Sequence, residues 1–150
     1  MITSNGGTTM TMFDKPAAEQ MLSSVFAAWI QDLRLAVERL ERDGAVLRMP
    51  FSERLCRDNG VICGQALMSL ADTAMVFAVS AAAGGYRPMT TVDQTMHFLR
   101  PAATADVLAD ARVIRLGRTM AFGSVTLTAA GDDRPVAMAQ IAYAILPEGK

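Results

Sequence analysis

An α+β fold, with one long central helix wrapped by a curved antiparallel β-sheet of about six strands, is predicted by three features of the sequence. The run from Gln65 to Ala83 is apolar on nearly every face and carries a single ionisable residue, Asp72. Four segments rich in Val, Ile, Thr and aromatic residues follow Pro88, at 90–99, 107–116, 120–129 and 136–146, and two shorter ones flank Glu41-Arg42-Asp43-Gly44. A flat sheet covers only one side of a helix, so a helix apolar all round calls for a sheet that curves about it, with a partner covering the rest.

The elements follow in order. Residues 1–12 are rich in Thr, Gly and Ser and lack both the basic and the apolar region of a signal peptide, so they are expected to be a disordered start or tag remnant outside a single domain at 13–150. From Pro16 to Leu35, Met21, Leu22, Val25, Phe26, Trp29, Ile30 and Leu33 recur at helical spacing and predict one amphipathic helix. Val37–Leu40 and Ala45–Met49 then form two strands about an Asp-Gly turn. Pro50 to Gly64 has no periodicity, and the long helix ends at Gly84-Gly85. Short breaks between the last four strands predict that consecutive strands are antiparallel neighbours.

Composition narrows the function. Fourteen basic residues against fifteen acidic ones leave a net charge of −1, which favours neither nucleic acid nor an anionic membrane. The chain is 51% hydrophobic and 19% charged, against about 25% charged in ordinary domains, and this predicts a buried interface between subunits. Asp72 within the apolar run argues against a membrane span, since a carboxylate costs about 2.5–3.5 kcal/mol at a bilayer centre. Cys56 and Cys63 offer no disulfide framework, and the expected location is the cytoplasm.

Buried carboxylates cost several kcal/mol unless paired or hydrogen-bonded, so Asp72 is either a structural group tied to a hydroxyl or backbone, or the reactive group of a site. Gln65, Ser69 and Asp72 share a helix face. Gly64, just before the helix, stands where free N–H groups and the helix dipole favour negative charge, although a plain turn glycine also fits there. Cys63, beside that helix start, could serve as a thiolate nucleophile, but the only histidine to act as its base is His97, read as a half-buried strand residue.

Residues 60–72, from Gly60-Val61-Ile62-Cys63-Gly64-Gln65 to Leu70-Ala71-Asp72, resemble the hotdog thioesterases of the phenylacetate-degradation and 4-hydroxybenzoyl-CoA thioesterase type, whose motif is G-x-x-H-G-G, four residues, then L-x-[DE]. Thr91-Val92-Asp93, Phe98-Leu99-Arg100-Pro101-Ala102 and Arg115-Leu116-Gly117-Arg118 extend the resemblance over residues 35–146. The resemblance implies a hotdog fold and hydrolysis of an acyl-CoA thioester without a metal, coenzyme A being part of the substrate rather than a resident cofactor. It further implies Asp72 as nucleophile or water-orienting base, the Gly64 N–H as oxyanion donor, and Thr91 as a hydroxyl that helps place the water. The resemblance also implies sites between the subunits of a homodimer or homotetramer.

The remaining residues expected at the substrate are Cys63, Gln65, Ser69, Asn59, Arg100, Gly117 and Arg118, with Arg118 first among candidates for the coenzyme phosphates. Three positions depart from the family pattern. Cys63 replaces the usual His, Gln65 the second Gly, and Arg57 a frequent Asn. These departures motivate one rival reading, a hotdog protein that binds acyl-CoA or another apolar ligand without turnover. A hydratase or dehydratase on the same fold ranks last, because those enzymes pair a His with a carboxylate in a different motif.

Overall fold

The computed structural model describes residues 13–148, so the start expected at 1–12 lies outside the described residues. The elements are α1 (Lys15–Ser24), α2 (Ala28–Gln31), β1 (Ala36–Glu41), β2 (Gly44–Met49), a 3-10 turn (Glu53–Leu55), α3 (Gly64–Ala83), β3 (Met89–Phe98), β4 (Val107–Leu116), β5 (Met120–Ala129) and β6 (Pro135–Ile145). The single helix expected at 16–35 is two helices meeting at an elbow. Asp14 caps α1 by accepting from the Ala17 N–H at 3.0 Å. At its far end the hydroxyls of Ser23 and Ser24 both donate to the Gln20 carbonyl, at 2.9 and 2.8 Å, and such side-chain bonds compete with continued helix. Ala27 then turns to ψ 150°. The break lets the Phe26 ring stack on Phe77 of α3, centroids 5.6 Å apart.

All six strands form one antiparallel sheet in the order β1-β2-β4-β5-β6-β3. The expectation that consecutive strands are neighbours fails for β3 and β4. Both edges of β4 are occupied, by β2 and by β5, so β3 takes the open edge of β6. The segment 99–106 that links them crosses the end of the sheet beside the start of α3. There the Ala102 carbonyl accepts from the Ile62 N–H at 2.8 Å. Its last residue, Asp106, accepts from the Phe51 N–H at 2.7 Å and from Arg48 at 3.0 Å, and those two donors, the amide foremost, hold its carboxyl below the usual carboxylate range. At the β1–β2 hairpin Arg42 and Asp43 form the turn and Gly44 already belongs to β2. Gly44 is needed for space, because a Cβ there would meet the Ala111 carbonyl oxygen at 2.9 Å.

Helix α3 lies in the curve of the sheet and supplies the centre of the core, with Leu70, Ala71, Ala74, Met75, Phe77 and Ala78 fully buried. It is long and apolar enough to cross a membrane by composition, but 67% of the apolar window is buried inside the protein. Gly84 ends it in the left-handed conformation at φ 76°. The sheet does not wrap the helix completely, as expected from its composition. Gln65 and Met68 are exposed and Ser69, Asp72 and Val76 half-buried, which leaves one stripe open beside the exposed edge strand β3. Apolar residues at or near that edge are open too, Val92, Phe98 and Leu99 among them.

The spacing between helix and sheet depends on Gly123 of β5. A Cβ there would fall 2.0 Å from the Met75 Cε and 2.6 Å from the Arg112 carbonyl oxygen. Gly123→Ala should therefore destabilise the fold by about 1–3 kcal/mol, the range for overpacking a filled core. Urea unfolding of the two proteins measures the difference, and an unchanged midpoint contradicts this account of the packing.

Candidate active site

Asp72 sits two turns into α3 on its open stripe, and two strands bring hydroxyls to it. Thr91 of β3 and Tyr143 of β6 are directly paired across the sheet, so both side chains rise from the same face toward the helix. The Thr91 hydroxyl donates to Asp72 Oδ1 at 2.9 Å. The Tyr143 hydroxyl reaches the same Oδ1 and also the Asp72 backbone carbonyl, the latter at 2.6 Å. No hydrogen bond to Oδ2 is formed among the described residues. Burial first, and the neighbouring Asp72 carboxylate second, push the Tyr143 phenol far above its ordinary pKa, so the hydroxyl keeps its proton.

A β-bulge makes this pairing possible. The register of β3 on β6 shifts between Thr91 and Asp93, leaving Val92 as the extra residue. Without it Thr91 would share a face with Asp93, Thr95 and His97. With it Thr91 points to the helix, while Asp93, Thr95 and His97 take the other face opposite Ala142, Gln140 and Met138. His97 is thereby exposed rather than half-buried as expected. Gln94 and Met96 turn inward, and the Gln94 amide donates to the Met68 carbonyl at 3.0 Å.

The carboxylate opens on a cleft of about 370 Å³ between the α1–α2 elbow and α3, walled by Phe26, Trp29, Ile30, Val76 and Met89, with Thr91 and Tyr143 at the carboxylate. Ser69 lines it, but its hydroxyl donates to the Gln65 carbonyl at 2.7 Å within the helix and not to Asp72. Of the expected site residues, Asp72, Thr91 and Ser69 thus come together.

The others lie apart within the chain. Gly64 opens α3 eight residues before Asp72, about 12 Å along the axis at 1.5 Å per residue. The space before it is occupied by the Phe98 ring, whose Cζ stands 3.2 Å from where a Cβ would be. Cys63 caps the helix with no side-chain bond and Gln65 is exposed. Asn59 accepts from the Val61 N–H at 3.3 Å in the preceding loop. Arg100, at that same end of the sheet, donates to the Pro135 carbonyl at 2.8 Å. Gly117 and Arg118 form the β4–β5 turn at the opposite end, one residue beyond the row containing Thr91, Tyr143, Ala121 and Leu116, and Arg118 is exposed.

Tyr143 and the cleft-forming elbow are absent from the residues selected by sequence. Tyr143 carries the only polar side chain among the inward positions of β6, and a buried phenol requires an acceptor. That requirement, set beside the lone carboxylate of α3, is the signal that could have found the pair.

A central helix in a curved antiparallel sheet, with a carboxylate facing an apolar cleft at mid-helix, defines the hotdog class of thioester hydrolases. The family model of the Thioesterase superfamily matches residues 59–136, and the chain belongs to that family. It is similar to a candidate esterase from Halobacterium salinarum, 30% identical over 82% of this chain and 85% of that protein. Among solved structures it is similar to a candidate thioesterase from Silicibacter, 31% identical with a TM-score of 0.81 over 90% of this chain and 93% of that one. The fold is shared with the E. coli PaaI protein from the phenylacetic acid degradation operon, 21% identical with a TM-score of 0.77 over 88% and 92% of the two chains.

Removal of one of the two Oδ1 donors has a defined expectation. Thr91→Val keeps the shape of the side chain and should lower kcat for thioester hydrolysis about tenfold, the equivalent of one hydrogen bond to a charged group. Steady-state kinetics on the folded variant measures it, and wild-type kcat would remove Thr91 from the site.

Proposed function

We propose that this protein hydrolyses the thioester of an apolar or aryl acyl-CoA, with Asp72 as the reacting carboxylate. The observation that carries the reading is the arrangement of that group, one oxygen held by two hydroxyls and the other without a hydrogen bond among the described residues, on a residue that lines a largely apolar cleft. As a base, Oδ2 takes a proton from water, the resulting hydroxide oxygen bonds to the thioester carbon, and the C–S bond breaks to release the coenzyme thiolate, which is then protonated. As a nucleophile, Oδ2 itself bonds to the thioester carbon, the C–S bond breaks to release the coenzyme thiolate, and water opens the resulting anhydride to free the acid and restore the carboxylate. Both routes develop negative charge on the carbonyl oxygen, and the Gly64 N–H, bonded to no backbone acceptor among the described residues, is suited to receive it.

Gly64 and Asp72 of one chain are too far apart to act on one carbonyl. A two-fold homodimer across the open α3 stripe and the β3 edge supplies the donor from the second copy, and pairing two such dimers would give a tetramer. The cleft volume suits a medium-length or aryl acyl group, and the exposed Trp29 on its wall is free to adjust to it. Arg118, exposed beyond the same end of the sheet as Thr91, is the residue we assign to a coenzyme phosphate at the rim. The site uses no resident cofactor, and its substrate belongs to the cytoplasm. The Phe98 ring, packed where a Gly64 side chain would project at the helix start, favours a second reading, in which acyl-CoA is bound without turnover.

A thiol-release assay over a panel of acyl-CoAs separates the two readings. Asp72→Asn should lower kcat at least ~100-fold while leaving the oligomer folded, and Cys63→Ser should cost far less. Abolition of activity by the cysteine change, with an acyl group trapped on Cys63 in the wild type, would transfer the chemistry to the thiol.

Arg118→Ala should raise KM for acyl-CoA more than it lowers kcat, as when uniform binding is lost. The effect should shrink on an acyl-pantetheine, which lacks the nucleotide phosphates. Equal effects on both substrates would return Arg118 to a solvated turn residue.

A further inference from the structure

Tyr143 makes more contacts than a buried phenol needs. Its ring is 1% exposed, and the Asp72 carbonyl at 2.6 Å would by itself satisfy the hydroxyl. The hydroxyl is nevertheless also within bonding reach of Asp72 Oδ1, which already accepts from Thr91 at 2.9 Å. The single phenol proton is shared between the helix carbonyl and Oδ1 of the same residue, and because the carbonyl is fixed in space the shared bond gives the carboxylate a fixed partner. Two donors on one oxygen, arriving from neighbouring strands, remove the freedom of the carboxylate to exchange its oxygens by rotation.

We propose that Tyr143 is a positioning residue that, with Thr91, holds Oδ1 of Asp72 and so presents Oδ2 alone to the substrate. The proposal rests on the reading of Asp72 as the reacting carboxylate. Tyr143 does not touch the substrate in this role; it acts through Asp72. Because the phenol is held protonated by burial and by the adjacent charge, it remains a donor to the carboxylate.

Tyr143→Phe keeps the ring and removes the hydroxyl. In the full-length protein labelled with carboxyl-13C aspartate, and with the Asp72 signal assigned by its loss in Asp72→Asn, the Asp72 carboxyl resonance at neutral pH should move from its wild-type position as the donor is lost. This measurement requires no turnover. In kinetics, kcat should fall about tenfold with KM changed less than about twofold. In the Asp72→Asn background the same change should add less than about a twofold further loss.

Replacing Tyr143 by 3-fluorotyrosine, whose hydroxyl is a stronger donor, should move the Asp72 resonance the opposite way, and it serves if Tyr143→Phe does not fold. An unmoved resonance in these variants overturns the proposal. So does a Tyr143→Phe enzyme with a lower melting temperature but the wild-type kcat, since that is the signature of packing alone. Full activity in Asp72→Asn would instead overturn the hydrolytic reading, and the carboxyl spectrum would then report whether the Tyr143 contact to the carboxylate exists at all.

Discussion

An ionisable group in the middle of an apolar helix sets the conditions that the neighbouring strands meet. Leaving the Asp72 carboxylate unsatisfied inside the protein would cost several kcal/mol, a large share of the stability of a domain this size. The cost is offset from two sides. The open stripe of α3 keeps the carboxylate half in contact with the surface, and Thr91 and Tyr143 supply hydroxyls to one of its oxygens. The strand order follows the same logic, because only with β3 at the edge of β6 do those two residues stand side by side. Had β3 paired with β4 as a simple hairpin, the carboxylate would have lost one of its two partners.

The features readable in the sequence are those fixed by burial and by local chemistry. The bounds of β4 and β5 follow from runs of β-branched residues between turn residues, and the end of α3 from Gly84. The isolation of Asp72 in an apolar helix was visible without any structure, since a carboxylate there is an exception to the composition around it. What escaped depends on partners distant in the chain. The elbow after α1 arises from Ser23 and Ser24 bonding back to Gln20 and from Phe26 finding Phe77, about fifty residues away. The crossover from β3 to β4 depends on which sheet edges are already taken. Tyr143 reads as one more aromatic in a strand until its hydroxyl is set against Asp72.

The helix start and the carboxylate illustrate how a site can be divided between chains. One end of α3 carries unpaired amides and the middle carries the acid, and helical rise keeps them about 12 Å apart. Such an element cannot complete a compact site by itself, yet two antiparallel copies laid side by side present each acid toward the other's amides. The same stripe that the sheet leaves uncovered is the surface that such an arrangement would close. The substitutions at the helix start, Cys63 and Gln65 in place of His and Gly, change side chains at this junction and leave the backbone amide of Gly64 in place.

The bulge at Val92 means that the chemistry of β3 is encoded in chain length as well as in residue identity. Up to Thr91 odd-numbered positions of the strand belong to the interior, and beyond the bulge even-numbered ones do. Loss of Val92 would bring Thr91 and Gln94 two positions apart, and a plainly alternating strand would then keep the hydroxyl and the amide facing the helix; at the present spacing of three only the bulge does so. A relative with a gap of one at this point therefore retains the inward constellation without a bulge, whereas one of full length whose strand alternates regularly loses it.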